Sequence, residues 1–422
     1  MIAQSTRAWG LLSLAGWAAA VSAAGFSSGW TAAGLILWLW VALYPSDLIR
    51  PRGLGAWTLW VSWGAFSAVI GPEPLLGAAP VWGKATGVLI FSLAYSWWGR
   101  PHRRVWLFGV WAAAAVFGTR GLVLGAWNEG AVGFLAAAAG SLLFVRASSI
   151  LEGGWRAAVW ILRILFVLTV AAGLRGSPRS SVIEASGPGW SAAPLALERP
   201  ASGFGPGRIE AALRSAGWEG SGPSLSEWVF SSVETGLPGG LLLLIATLYV
   251  LLPPAYGDRP REWERQACAG AVGGLAAASL FQGLFGRPES VLLWFTALAC
   301  GAPGAEEEET RPFRISPAAA WAAVAACLAA PIPRLALSAG LRAGASDFGL
   351  AAAALVSPLG PEVLARRAEA DLSLRPPQVG RALARYRRAA RINPGAVEFE
   401  RRAAEISRVV SELGPPVPRG RP

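Results

Sequence analysis

The residues best suited to chemistry cluster in one polar stretch of an otherwise apolar chain. Ser202-Gly203-Phe204-Gly205-Pro206-Gly207-Arg208 is a glycine-rich turn that ends on an arginine. Such a turn exposes backbone N–H groups and lets an anion come close, because glycine adopts conformations that a Cβ forbids. A plain surface turn would have the same composition. Arg199 lies just upstream, and Glu227, Trp228 and Glu234 lie downstream, ahead of Gly236 and Gly239. Glu234 reads either as a site carboxylate or as a charge favoured by the dipole of the helix it precedes. Two further charges, Lys84 and Arg120, stand within or beside apolar runs. A charge in hydrocarbon costs about 2.5–3.5 kcal/mol at the bilayer centre and less near an interface. Each is therefore a functional contact or a side chain that snorkels to the headgroups. His102 is the only histidine, so His-based metal sites and dyads needing a second histidine drop out. Cys268, Cys300 and Cys327 sit in apolar runs without metal spacing and read as packing residues. No metal or cofactor is expected.

These residues must be positioned by membrane helices. Of 422 residues, 54% are hydrophobic and 15% charged, where a soluble chain would carry roughly 25% charged residues. The formal net charge is +11, and Lys84 is the only lysine. A basic balance can signal nucleic acid, but here most arginines fall between apolar runs, so no nucleic-acid partner is expected. A bilayer core of about 30 Å needs roughly 20 apolar residues per helix. About eleven spans are expected, at 8–24, 30–45, 54–71, 77–98, 105–119, 121–145, 157–174, 236–256, 267–285, 289–303 and 316–333. Asn128 and Glu129 interrupt the sixth. The first reads as a retained helix rather than a cleaved signal peptide, since so many spans follow it.

Alternating the connections puts Arg7, Arg50, Arg52, Arg100, Arg103, Arg104, Arg146, Arg156, Arg259, Arg261, Arg265, Arg311 and Arg314 on one side. By the positive-inside rule that side is cytoplasmic. The N-terminus is then cytoplasmic and the C-terminus periplasmic. The resulting organisation is helices one to seven over 1–174, a periplasmic loop with the candidate site over 175–235, helices eight to eleven over 236–336, a periplasmic helical segment over 337–413, and a disordered tail over 414–422. Ala370, Ala382, Tyr386, Ala389 and Pro394 match positions 8, 20, 24, 27 and 32 of a tetratricopeptide repeat of about 34 residues. A generic amphipathic helical pair is the plainer alternative. The fold class is all-α, a polytopic membrane helix bundle with a helical-repeat segment.

The order of these pieces resembles the O-antigen ligase/polymerase family of the bacterial cell envelope. The family's Pro-x-x-Gly-x-Gly turn is matched by Pro200-Ala201-Ser202-Gly203-Phe204-Gly205, and its Glu-x-Gly-x-x-Gly entry into the next span by Glu234-Thr235-Gly236-Leu237-Pro238-Gly239. Thr119-Arg120-Gly121 stands where the family carries a Ser-Arg-Gly signature. Two departures are plain: Leu225 occupies the place of the family's loop histidine, and Ser186 that of an arginine four residues before Trp190. The resemblance implies a GT-C-like membrane glycosyltransferase of polysaccharide biosynthesis. It would transfer or polymerise a polyprenyl-diphosphate-linked glycan on the periplasmic face of the inner membrane, without a metal. Arg120, Arg208, Glu227 and Glu234 are then the expected catalytic residues. Lys84, Arg199, Gly203, Gly205, Gly207 and Trp228 are the expected substrate contacts. Arginine suits a diphosphate leaving group because the guanidinium donates bidentate hydrogen bonds and stays charged. Expected partners are the lipid-linked glycan, membrane lipids and a protein bound by the C-terminal repeat. The alternative is a catalytically decayed relative that acts as a membrane scaffold. A transporter ranks last, because no pair of similar halves is visible.

Overall fold

Backbone groups in hydrocarbon find no water, so a chain this apolar has to close its hydrogen bonds within helices. The computed structural model describes residues 2–23, 28–45, 47–71, 73–124, 129–144, 164, 192–209, 212–213, 226–251, 263–280, 288–302, 312–342, 346–358, 360–392 and 396–412. The elements are α1 (Ile2–Ala23), α2 (Ser28–Leu43), β1 (Asp47–Ile49), α3 (Leu54–Ile70), α4 (Pro74–Trp97), α5 (Arg100–Leu124) and α6 (Glu129–Phe144). After these come α7 (Ala193–Glu198), α8 (Glu227–Leu251), α9 (Trp263–Ser279), α10 (Pro288–Gly301), β2 (Pro312–Arg314), α11 (Pro317–Ala329) and α12 (Ile332–Leu341). The chain closes with α13 (Asp347–Val356), α14 (Pro361–Ser373), α15 (Val379–Ile392) and α16 (Val397–Glu412). Among the described residues, three runs are long and apolar enough to cross a membrane: α4, Glu227–Tyr249 of α8, and Pro317–Leu341, formed by α11 and α12. Shorter apolar helices surround them. The seventh expected span, 157–174, lies outside the described residues save for Ile164.

Four details differ from the sequence reading. The fold is not purely helical, because β1 and β2 pair antiparallel, Leu48 opposite Phe313. Helix α5 runs without a break through Thr119-Arg120-Gly121, so the division from α6 falls after Leu124. The last apolar run extends past residue 333 to Leu341. In the C-terminal hairpin Ala365 and Ala368 of α14 share a buried core with Ala382 and Tyr386, while Ala370 lies outside that core. Pro394 lies outside the described residues.

The bundle has two distinct ends. At one, Arg100 Nε and Arg104 Nε donate to the buried Glu264 Oε1 at 2.9 and 2.7 Å. Trp98 Nε1 reaches the carbonyl of Ala8 there, and the Arg52 guanidinium covers the Tyr249 ring. At the other end α3 turns into α4, and α7 and the glycine-rich turn lie against α8. The core between is rich in aromatics: Trp57 packs edge-on against both Trp60 and Phe295. The α6–α9 crossing is tighter still. A Cβ added at Gly140 would fall 2.7 Å from Gly274 N, so small residues let the two backbones meet. Cys268, Cys300 and Cys327 are all buried and unbridged, as the packing reading requires.

Gly140→Val forces α6 and α9 apart. Overpacking of this kind costs about 1–3 kcal/mol or more, so the purified protein should melt several degrees lower in detergent, whereas Gly16→Ala, which meets nothing within 4 Å, should not shift the melt.

Candidate functional site

The site grows from a fault in α8. Gly236 has φ 76° and ψ 173°, a left-handed conformation suited to glycine, and Pro238 has no N–H to give. The helix breaks there, and its carbonyls need donors from elsewhere. The Val233 carbonyl accepts from Phe204 N at 2.9 Å, and the Glu234 carbonyl from Gly205 N at 2.8 Å. Ser67 Oγ bridges the Glu234 and Ser202 carbonyls at 3.1 and 2.5 Å. Trp63 Nε1 donates to the Thr235 carbonyl at 2.8 Å. In return Leu237 N donates to the Pro200 carbonyl at 2.8 Å. The two backbones lie so close that a Cβ on Gly203 would sit 2.5 Å from Gly236 N. A small apolar core, with Leu195, Ile209, Val229 and Val233 buried, holds α7 and the turn on the first half of α8.

Of the three turn glycines only Gly207 turns its N–H to a carboxylate, and that carboxylate is internal; Gly203 N and Gly205 N donate to the backbone carbonyls of Arg199 and Glu234. Gly203, Gly205 and Gly207 all have positive φ. Gly207 N donates to Glu234 Oε1 at 2.6 Å, and the Arg208 backbone N–H also reaches that carboxylate. Glu234 is buried, and the charges of Lys84 and Arg334 act on it. Lys84 lies in the third turn of α4, about 15 Å along the helix from its start. Its Nζ sits 4.7 Å over the Trp60 ring and has no hydrogen-bond partner among the described residues.

Arg208 is also committed. Its Nη1 forms an ion pair with the buried Glu73, and the other Glu73 oxygen accepts from Ser357 Oγ. One carboxylate thus joins the α3–α4 connection, the turn and the C-terminal helices. Arg334 of α12 stands beside Gly207, 3.6 Å from where a Cβ would be. Sequence reasoning missed Ser67, Trp63, Glu73, Arg334 and Ser357. None carries a local motif, and their partners lie far away in the chain.

The other expected residues occupy separate surroundings. Arg199 is exposed, its guanidinium 4.9 Å from the Phe204 ring centre. Trp228 lines an open apolar groove of about 920 Å³ with Pro200, Ser232, Leu237, Leu241 and Leu280. Arg199 precedes Pro200 at the groove wall. Glu227 is buried at the start of α8, next to Ser226, whose hydroxyl donates to the Ser279 carbonyl of α9. Arg120 is exposed in a different cleft, lined among the described residues by Ala115, Val116, Thr119 and Val123 of its own helix. Leu225, Ser186 and Trp190 lie outside the described residues. The structure brings together Lys84, Gly203, Gly205, Gly207, Arg208 and Glu234; it leaves Arg199 and Trp228 by the groove and Arg120 apart.

Neither a scan against protein-family models nor searches of curated proteins and solved structures found a match to this chain.

The Glu73–Arg208 pair lends itself to a double-mutant cycle. Removing one partner of a buried pair costs about 3–5 kcal/mol, so Glu73→Gln should lower the melting temperature sharply. Arg208→Met added to it should recover much of the loss. A double variant as unstable as the sum of the singles would mean the two groups do not interact.

Proposed function

We propose that this chain is a polytopic inner-membrane protein of the O-antigen ligase/polymerase type, acting on a polyprenyl-diphosphate-linked glycan at the face that carries the glycine-rich turn. About eleven helices would span the membrane, the Arg100–Glu264 end facing the cytoplasm. The observation that carries the reading is the apolar groove at the α8 break, one wall of which is Pro200, the residue after the exposed Arg199. Leu237, Leu241 and Leu244 are exposed in its wall, which suits the isoprenoid chain of a membrane-borne substrate. Arg199 would hold the diphosphate at the rim, where a guanidinium stabilises the leaving group as the glycosidic bond breaks. Arg208, Glu73 and Glu234 would hold the turn in shape, because their charges already meet internal partners. Arg120, at the outer end of α5, would contribute a second phosphate contact from its own cleft.

A catalytically decayed scaffold is the second reading, and one observation favours it. Glu227 and Glu234 are both buried and neither lines the groove, while Leu225 replaces the family's histidine. Among the described residues no base then lines the groove to face an acceptor hydroxyl. In this reading the water-exposed helices α14–α16 would recruit a protein partner.

Surface polysaccharide in a strain lacking this chain, complemented with variants, separates the two. Arg199→Ala should reduce glycan transfer at least about tenfold, equivalent to about 1.4 kcal/mol of lost transition-state stabilisation. Protein level and membrane insertion should stay normal. Leu241→Trp, which fills the groove, should do the same. Wild-type polysaccharide in Arg199→Ala, Arg120→Ala and Leu241→Trp would overturn the enzyme reading.

A further inference from the structure

The surface of the last apolar run does not end where the run leaves the bundle. Trp321 and Leu328 of α11 are exposed, and the same helical stripe continues through Ile332 and Leu335 of α12. Helix α13 then folds back on α12. The contact is close, because a Cβ on Gly340 would come within 3.0 Å of the Gly349 carbonyl carbon. Ser346 caps α13 by accepting from Gly349 N at 3.2 Å. Its outer face carries Phe348, Ala351 and Leu355 at helical spacing, Phe348 83% and Leu355 77% exposed. The only charge on α13 is Asp347, at its first position. Beyond Ser357 the chemistry reverses. The exposed faces of α14–α16 carry Arg366–Glu369, Arg402–Glu405 and Arg408–Glu412 pairs.

We propose that the α12–α13 hairpin is seated in the lipid leaflet, with the Phe348–Leu355 face against acyl chains, and that it anchors the helices α14–α16 to the membrane surface. Lipid is the occupant because the apolar stripe is continuous with that of α11, whose exposed face already meets lipid if the run spans the membrane. Large apolar side chains left this open in water forgo the gain from burial. The seat has a structural consequence. It holds the C-terminal end of α13, and with it Ser357, against Glu73, and it holds Arg334 beside Gly207. The water-exposed part of the C-terminal segment then begins near residue 358 rather than at 337. This inference rests on the membrane-spanning part of the proposed function and is independent of glycan transfer.

The test uses the full chain in phosphatidylethanolamine/phosphatidylglycerol vesicles, with Cys268, Cys300 and Cys327 replaced by alanine. Phe348→Cys and Leu355→Cys carry an environment-sensitive fluorophore, with Leu328→Cys on α11 and Arg388→Cys on α15 as references. The label at 348 and 355 should match that at 328: blue-shifted, quenched by spin-labelled lipid and protected from iodide. The label at 388 should behave oppositely. If 348 and 355 follow 388 while 328 follows lipid, the hairpin stands in water and the inference fails alone. If 328 is also reached by iodide, the membrane reading fails with it. Blue-shifted labels insensitive to both quenchers, but altered by dilution with unlabelled chain, would assign the face to a second copy and overturn the lipid seat. Each labelled variant is first required to melt like the cysteine-free parent. Where Phe348→Cys does not, Ala351→Cys on the same face replaces it, with the same expected result.

Discussion

A broken helix is the constraint from which the rest of this end of the molecule follows. Gly236 and Pro238 interrupt α8 where the alternative donors are few, and an unpaired buried carbonyl costs about as much as a lost hydrogen bond. The carbonyls of Val233, Glu234 and Thr235 are met by a turn, a serine of α3 and a tryptophan of α3. The break therefore recruits the turn, and the turn can approach only because Gly203 and Gly236 lack side chains where their backbones meet. The glycine pattern is the signature of this close fit as much as of any ligand.

The charges follow from the same geometry. Once the turn is docked, Gly207 N and Arg208 N point at the Glu234 carboxylate, and the Arg208 side chain meets Glu73. A buried ion pair adds little net stability over apolar packing, but removing one member leaves the other charge buried and unpaired. Here these groups tie four distant stretches together: the α3–α4 connection, the turn, α8 and Ser357 after α13. The C-terminal helices are therefore part of the site's frame. A lipid-seated α12–α13 hairpin would hold that frame at the membrane surface.

This arrangement separates residues that a motif would group together. Arg208 and Glu234, the obvious candidates for chemistry, are structural partners of Glu73 and Gly207. Of the expected substrate contacts, Trp228 lines the apolar groove and Arg199 precedes Pro200 in its wall. In the glycan-transfer reading the chemistry moves to the groove rim, and the ionic centre becomes its support.

Much was legible in the sequence because it depends on local composition. The largely helical, apolar character of the chain and the conformational freedom of the turn glycines Gly203, Gly205 and Gly207 are properties of short windows. Helices close their own hydrogen bonds, so a window suffices to call them. The small β1–β2 pairing, the continuity of α5 through Arg120, and the burial of Ala365 and Ala368 rather than Ala370 in the hairpin core were decided by contacts between windows. So were the partners of Arg208 and Glu234: an arginine's sequence neighbours do not say which buried carboxylate will meet it. Composition set which groups would be costly to leave unpaired, and only the packing of distant segments determined how each was paired.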